Sequence, residues 1–406
     1  SQVSNNNAPC SSLASLDTMI KCLLDGMPTK GQLTGRVQYP TATQIEEWRS
    51  MVTRLWRLFA PSHLNTNHMN KSQMMTTTME QQCKELNGQM ASDVLGQLYS
   101  VEWINGGSGG DDGDEQGFCA LMQRNLTLGW PTFIVKVSTQ TIDKSSDRDD
   151  DSMIVDVHLQ VPHPISDGQV AEQGATLLRM SNVTKSLLVS GVVRSASEDD
   201  STCQPKNYET DAAHNTNNLF HQTTIELRRI YEEDYDTFEK LLCLQLHGMA
   251  STTCPTITAY LSNGYTNLHD MRAKENRHLV SMRDALTRAS TEAASHRTST
   301  NSWNVSIPYP ISCPLNGETN VQGRVLNQHP RSQTNFTSVC TVKPTTVTGT
   351  FLHVEQKWES IQRTDVWIEA LELAFGNQRS SSLRSHNRTT NGAWVLFVSL
   401  VALAWI

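Results

Sequence analysis

Residues 153–180 read MIVDVHLQVPHPISDGQVAEQGATLLRM and combine two different hydrophobic periods. From 153 to 161, apolar and polar residues alternate with period two, which predicts a strand. From 170 to 180, apolar residues recur at helical spacing, which predicts a helix. A strand, a polar turn and a helix in this order indicate an α/β fold.

Strand and helix patterns alternate through the rest of this region. Further strands are predicted at 132–137, 186–193, 240–246, 256–261 and 349–355. Further helices are predicted at 217–233, 270–298 and 359–375. We therefore predict one α/β domain over 126–378, with a mixed sheet flanked by helices.

Residues 1–125 have a different pattern from the rest of the chain. Stretches 45–59 and 79–99 show helical periodicity, and an acidic glycine-rich segment, GGSGGDDGDEQG, follows at 106–117. We predict an N-terminal helical accessory region that ends in a solvated linker.

The last segment, 379–406, has the layout of a lipid-anchor signal. Its tail AWVLFVSLVALAWI (393–406) carries no charge and is shorter than the roughly 20 residues of a spanning helix. A polar spacer and the small residues around Ser381 precede it, so we expect glycosylphosphatidylinositol (GPI) attachment at Ser381 and removal of the tail. A buried C-terminal helix or strand is the alternative.

Several further features agree with export. The formal net charge is −8, with basic residues scattered, so no nucleic-acid partner is expected. We expect a signal peptide to have been removed, and a location on the outer face of the plasma membrane or, alternatively, secretion. Six Asn-x-Ser/Thr sequons are candidate glycosylation sites: Asn70, Asn125, Asn182, Asn304, Asn335 and Asn387.

The nine cysteines show no close metal-ligand spacing, so disulfides are the expected use. We predict the pairs Cys203 with Cys254 and Cys313 with Cys340, which would close loops around the candidate site. Cys243 lies in the apolar run LLCLQL and is predicted to be a buried free thiol.

Polar side chains follow the predicted strands, where open α/β sheets place their sites. His163 and Asp167 occupy the turn after the first strand quoted above, and His247 follows the strand at 240–246. Two imidazoles and a carboxylate can hold a zinc ion and leave a position for water. Glu172, at the start of the next helix, is an alternative ligand.

A later strand ends in FLHVEQ and offers His353 and Glu355. A carboxylate there could take a proton from the water, so Glu355 is the candidate general base. For each histidine, an ordinary hydrogen-bonded position at a strand end remains the alternative.

The order of these residues resembles the zinc carboxypeptidase-like superfamily, nearest to the N-formylglutamate amidohydrolases and poly-γ-glutamate hydrolases. The resemblance covers roughly residues 130–375 and implies a phosphorylase/hydrolase-like fold. It implies zinc ligands at His163, Asp167 and His247, and a base at Glu355. The first acidic residue follows the first histidine by four positions, whereas the peptidases have three, usually with Glu.

A substrate with a carboxylate would need a cation or amide donors beside the metal. Arg194 and Arg324 are the candidate cations, and Asn215 is a candidate amide donor. The predicted function is zinc-dependent hydrolysis of an amide or peptide bond in a small N-acyl amino acid or peptide. A non-catalytic GPI-anchored recognition or adhesion protein on the same scaffold is the alternative.

Overall fold

The computed structural model describes residues 10, 15–59, 78–108, 115–137, 155–234, 238–265, 274–295, 302–309, 313–328 and 339–376. The strands are β1 Tyr99–Ser108, β2 Glu115–Gln123, β3 Thr132–Val137, β4 Asp156–Val161, β5 Thr184–Val189, β6 Leu241–Gly248, β7 Ala259–Ser262, β8 Val305–Ser306 and β9 Phe351–Gln356. The helices are α1 Leu16–Gly26, α2 Ala42–Phe59, α3 Met79–Met90, α4 Val170–Met180, α5 Leu219–Asp234, α6 Arg277–Ser295, α7 Val321–Leu326, α8 Trp358–Ile361 and α9 Thr364–Phe375.

The strands form one nine-stranded sheet in the order β1-β2-β3-β5-β4-β6-β9-β7-β8. Strands β5, β4, β6 and β9 run parallel, whereas β1, β2 and β3 pair antiparallel and β3 joins β5 antiparallel. The predicted α/β fold with a mixed sheet flanked by helices is therefore confirmed.

Helices cover both faces of the sheet, and each face has its own apolar core. Helices α1, α4, α6 and α9 pack on one face, which we call the α4 face. Helices α2, α3, α5 and α7 pack on the other, which we call the α5 face. Because the central parallel strands are buried on both sides, their polar residues need partners within the protein.

The parallel register brings the candidate site together at one edge of the sheet. His247 in β6 lies directly beside Glu355 in β9, and β4 ends at Val161, just before His163. Carboxyl ends of adjacent parallel strands meet at the same edge, where open α/β sheets hold their sites.

The prediction for the N-terminal region is wrong in one respect. The helix predicted at 79–99 ends at Met90, and β1 begins at Tyr99. The predicted linker lies in the β1–β2 hairpin, where Asn105 pairs with Gly117, and its residues 109–114 lie outside the described part of the chain. The helical pattern was misleading because β1 acquires its conformation by pairing with β2 and packing against α3.

The predicted disulfide pairs are also wrong, although all four cysteines are bonded. Cys203 pairs with Cys340 and Cys254 with Cys313, at Cα–Cα distances of 5.0 and 6.0 Å. The predicted pairs would close loops around the candidate site, but contacts made only in the folded chain decide which cysteines meet. The turn after Ser201 meets the segment before β9, and Cys313 joins Cys254 in a small cluster beside β7.

Two more disulfides and one thiol account for the other cysteines. Cys10 pairs with Cys22, and Cys83 in α3 pairs with Cys119 in β2. Cys243 is free and buried, as predicted, and its burial raises the pKa of the thiol well above its usual value.

The described helices include none that is both long enough and apolar enough to cross a membrane. Ser381 and the tail 393–406 lie outside the described residues. Asn125, Asn182 and Asn304 are exposed, whereas Asn70, Asn335 and Asn387 lie outside the described residues. Glycosylation and anchoring stay predictions.

Candidate metal centre

The turn between β4 and α4 presents His163 and Asp167 on the same side. The Asp167 amide donates to the His163 carbonyl at 3.3 Å, and Gly168 follows with a left-handed φ of 82° that reverses the backbone into α4. The turn lies against the end of β6, since a Cβ on Gly248 would stand 2.2 Å from the Asp167 carbonyl oxygen. Glycine at 248 therefore permits this close approach.

The Asp167 carboxylate lies between two imidazoles. Its Oδ2 is 3.2 Å from Nδ1 of His163 and 2.9 Å from Nδ1 of His247. The three side chains offer one ligand atom each, and these atoms lie within 4.8 Å of one another. The structure thus brings together the three residues that sequence analysis selected as metal ligands.

His163 lies between two carboxylates, because its Nε2 is 2.9 Å from Oδ1 of Asp211. Burial alone would lower the pKa of His163, but Asp211 and Asp167 outweigh it and raise the pKa to about 10. Burial alone would raise the pKa of the Asp167 and Asp211 carboxyls, but His163 outweighs it and holds both pKa values well below the usual range. A neutral imidazole has one N–H and cannot donate to both carboxylates, so one of the two contacts needs a further cation.

That cation can be a proton or a metal ion, and the donor set suits zinc. Zinc binds imidazole nitrogen and carboxylate oxygen at about 2.1 Å, which separates ligand atoms in a tetrahedron by about 3.4 Å. Asp167 Oδ2 stands 3.2 and 2.9 Å from the two nitrogens, and all three ligand atoms lie within 4.8 Å of one another, so small side-chain movements would bring them to zinc distances. The residues present therefore fit a zinc ion.

Glu355 lies next to this cluster on β9 and is buried, with 8% of its surface exposed. Burial and then the Asp167 charge raise the pKa of Glu355 well above its usual value, while His163 and Arg194 act in the opposite direction. His353, two residues earlier, places Nε2 3.6 Å from Glu355 Oε1 and packs 4.6 Å from the His247 ring. Burial lowers the pKa of His353 well below its usual value.

His214 extends the site from Asp211 toward the surface. Its Nδ1 is 3.1 Å from Asp211 Oδ1, its Nε2 is 3.2 Å from Thr319 Oγ1, and its side chain is 20% exposed. Asp211, His214 and His163 form a second group that could hold a metal ion, and His247, His353 and Glu355 form a third. The three groups overlap through His163 and His247.

The predicted substrate-binding residues differ in how their side chains are used. Arg194 is exposed, and its guanidinium has no ion-pair partner among the residues that the structure describes. Arg324 donates to the carbonyls of Glu318, Val339 and Cys340 at 2.7, 2.8 and 2.9 Å. These bonds favour a structural role for Arg324 instead of the predicted contact with substrate.

The two remaining candidates, Asn215 and Glu172, lie in the turn before α5 and in the first turn of α4. Asn215 is buried and donates to the Glu209 carbonyl at 2.7 Å while accepting from the Asn217 amide, so it stabilises the turn before α5. Glu172 lies in the first turn of α4, and among the described residues it joins none of the three groups. The sequence left the ligand position open between Asp167 and Glu172, and the structure favours Asp167.

Neither Asp211 nor His214 was selected from the sequence. The two residues lie in the segment DAAHN, and a D-x-x-H spacing in a turn is a signal that could have drawn attention to them. The contact between His163 and Asp211 spans 48 positions, and no local pattern predicts such a contact.

Comparisons with known proteins give little similarity. No family model matches this sequence, and no curated protein matches it. A proposed metallopeptidase from Shewanella denitrificans OS217 is 9% identical, with a TM-score of 0.27 over 68% of this chain and 85% of that one. A metallo-carboxypeptidase from Burkholderia cenocepacia is 9% identical, with a TM-score of 0.28 over 73% and 68%. The function proposed below therefore rests on the geometry of the site.

Proposed function

We propose that this protein is a zinc-dependent hydrolase of amide or peptide bonds. The observation that carries the proposal is the Asp167 carboxylate between Nδ1 of His163 and Nδ1 of His247, at 3.2 and 2.9 Å. These three side chains would hold the ion. Bound zinc lowers the pKa of water to about 7 and polarises a carbonyl.

Glu355 has the position and environment of a general base. It lies beside His247 in the sheet register, and its raised pKa favours keeping a proton once it has been accepted. In this mechanism the carboxylate accepts a proton from the attacking water and then donates it to the leaving nitrogen. Asp211 holds the ring of His163 in place through Nε2.

Arg194 is the candidate contact for a substrate carboxylate or carbonyl. The Arg194 side chain is exposed, and its positive charge lowers the pKa of the Glu355 carboxyl. An available guanidinium near the base suits a small N-acyl amino acid or peptide, because guanidinium and carboxylate form paired hydrogen bonds. The N-formylglutamate and poly-γ-glutamate hydrolases remain the families with which we associate the chain.

We also propose that the protein acts outside the cell, anchored through Ser381 at the outer face of the plasma membrane. Four disulfides among the described residues support an oxidising compartment. Release of the protein from cells by a phospholipase specific for GPI anchors would test the anchor. Retention of the protein on treated cells would count against it.

The test of function is turnover of N-acyl amino acids and glutamyl peptides by zinc-loaded protein. We expect hydrolysis that a chelator removes and added zinc restores. Arg194→Ala should raise KM for substrates with a free carboxylate more than for their amides. Zinc-loaded protein that hydrolyses none of these substrates would favour the non-catalytic recognition protein.

A further inference from the structure

A chain of buried carboxamides runs beneath His247 on the α5 face. Gln245 is fully buried, and its Oε1 stands 2.9 Å from Nε2 of His247. Its Nε2 stands 3.1 Å from Oε1 of Gln160 and 3.4 Å from Oε1 of Gln322. Asn320 completes the set with its Nδ2 on Gln245 Oε1.

The orientation of each amide matters, because a carboxamide donates at one end and accepts at the other. The main chain supplies groups whose roles are fixed. The carbonyl of Ala212 can only accept, and it faces Nε2 of Gln322 at 2.9 Å. Gln322 must then turn Oε1 toward Gln245, and Gln245 Nε2 donates to that oxygen. Gln245 therefore directs Oε1 at His247.

The Gly323 amide gives the same orientation independently, and the contacts of the Thr224 hydroxyl agree with it. The Gly323 amide can only donate, and it donates to Oδ1 of Asn320 at 3.0 Å, so Asn320 presents Nδ2 to Gln245 Oε1. The Thr224 hydroxyl donates to the Phe220 carbonyl at 3.4 Å and accepts from Gln160 Nε2 at 2.9 Å. Gln160 therefore presents Oε1 to Gln245 Nε2.

We propose that Gln245 fixes the proton of His247 on Nε2, and that one turn, Asp211–Ala212, orients both histidines of the candidate metal centre. Asp211 holds His163 directly, and the Ala212 carbonyl holds His247 through Gln322 and Gln245. Gln245 is a positioning residue, because it acts on the metal through His247.

The consequence is a lone pair on Nδ1 of His247 that faces Asp167 Oδ2 at 2.9 Å. Two acceptors at this distance repel each other unless a cation lies between them. The carboxamide chain therefore favours metal binding at Nδ1 before any metal arrives. This consequence rests on the proposed function, whereas the position of the proton does not.

The α4 face provides a matched control. Gln173 and Gln356 form a buried pair there, with reciprocal bonds of 3.0 and 2.7 Å. Gln173→Leu and Gln245→Leu make the same chemical change in a buried amide contact. Only Gln245→Leu removes the acceptor from a candidate metal ligand.

The first measurement is the zinc dissociation constant of the full chain, by competition with a chromophoric chelator. We expect Gln245→Leu to weaken zinc binding about 10- to 100-fold and Gln173→Leu to leave it unchanged. Gln245→Glu, which keeps an acceptor oxygen, should bind zinc more tightly than Gln245→Leu. Equal affinity in folded Gln245→Leu and Gln173→Leu would overturn the proposal.

The second measurement needs no metal. In full-length protein labelled with ¹⁵N-histidine, the His247 signals are identified by their loss in His247→Ala. We expect a proton on Nε2 in the wild type, and a spectrum that changes in Gln245→Leu and stays the same in Gln173→Leu. A neutral His247 with its proton on Nδ1 would overturn the proposal. Absence of zinc binding in the wild type would contradict the proposed function, while this spectrum still decides the position of the proton.

Discussion

The two faces of the sheet bury the same kinds of residue in different arrangements. On the α4 face, Gln173 and Gln356 satisfy each other and form a closed pair inside an apolar core. On the α5 face, the amides of Gln160, Gln245 and Gln322 form an open chain that ends on His247. In the closed pair each glutamine bonds to the other. The open chain ends on His247, so the orientation of its amides fixes the hydrogen bond that His247 makes.

The two arrangements predict that stability and metal binding depend on different faces of the sheet. Buried amides cost free energy unless they are hydrogen-bonded, and in both arrangements the amide oxygen and nitrogen of each glutamine have a partner. Because only the α5 arrangement touches a candidate ligand, equivalent substitutions on the two faces should have different effects. The α4 face should control unfolding, and the polar edge of the α5 face should control metal and catalysis.

The largest difference is expected for histidines. His247→Ala should abolish zinc binding, because it removes one of three ligand atoms. His278, buried in α6 with Nδ1 2.7 Å from the Gly349 carbonyl oxygen, is the matched position on the α4 face. His278→Ala should lower stability and keep zinc. Zinc retained by folded His247→Ala would remove this ligand set.

The next difference concerns carboxylates. Glu355→Gln should reduce kcat by about 10²- to 10⁴-fold, since the amide cannot accept a proton from water, and should keep zinc. Glu372 in α9 accepts from Ser181 Oγ and the Asn182 amide at 2.9 and 2.7 Å. Steady-state rates of Glu372→Gln should match the wild type. Equal rates for Glu355→Gln would assign the base elsewhere.

A substitution in the core of the α4 face should lower stability and leave zinc binding unchanged. Trp367 in α9 is fully buried, and Trp367→Ala should lower the free energy of unfolding by about 3–5 kcal/mol. Urea unfolding measures this loss. The zinc dissociation constant of the folded variant should not change, and a parallel loss of zinc would show that the two faces are coupled.

The smallest effect concerns Lys136 in β3, whose Nζ contacts the Ser181 carbonyl at 3.0 Å. Burial, and then Lys185, lower its pKa to about 8. Between about pH 8 and 10.4 the unfolded chain binds more protons than the folded one, so this residue makes stability rise with pH. Lys136→Met should flatten that rise in urea titrations at pH 8 and 10. Identical slopes would contradict the lowered pKa.

Much of the fold could be predicted where local patterns are strong. The bounds of β3 and α4 match the predictions at 132–137 and 170–180, because their apolar residues follow one clear period. Strand β1 could not be predicted, since its conformation depends on pairing with β2. The disulfide pairs depend in the same way on segments that meet only after folding.

The site residues also fall into a group that local patterns predict and a group that depends on contacts made after folding. His163, Asp167, His247 and Glu355 could be selected because each lies at or just after the end of a strand. The partners that orient the two histidines could not be found from spacing. Asp211 reaches His163 across 48 positions, and Gln245 gains its role from amide orientations fixed by distant main-chain groups.

The most direct test of the central claim is the zinc content of protein purified without chelator or affinity tag, measured by elemental analysis beside His247→Ala and His278→Ala. We predict about one zinc per chain in the wild type and in His278→Ala, and none in His247→Ala. A wild-type protein that stays free of metal after zinc is offered, or a His247→Ala variant that retains it, would contradict the account.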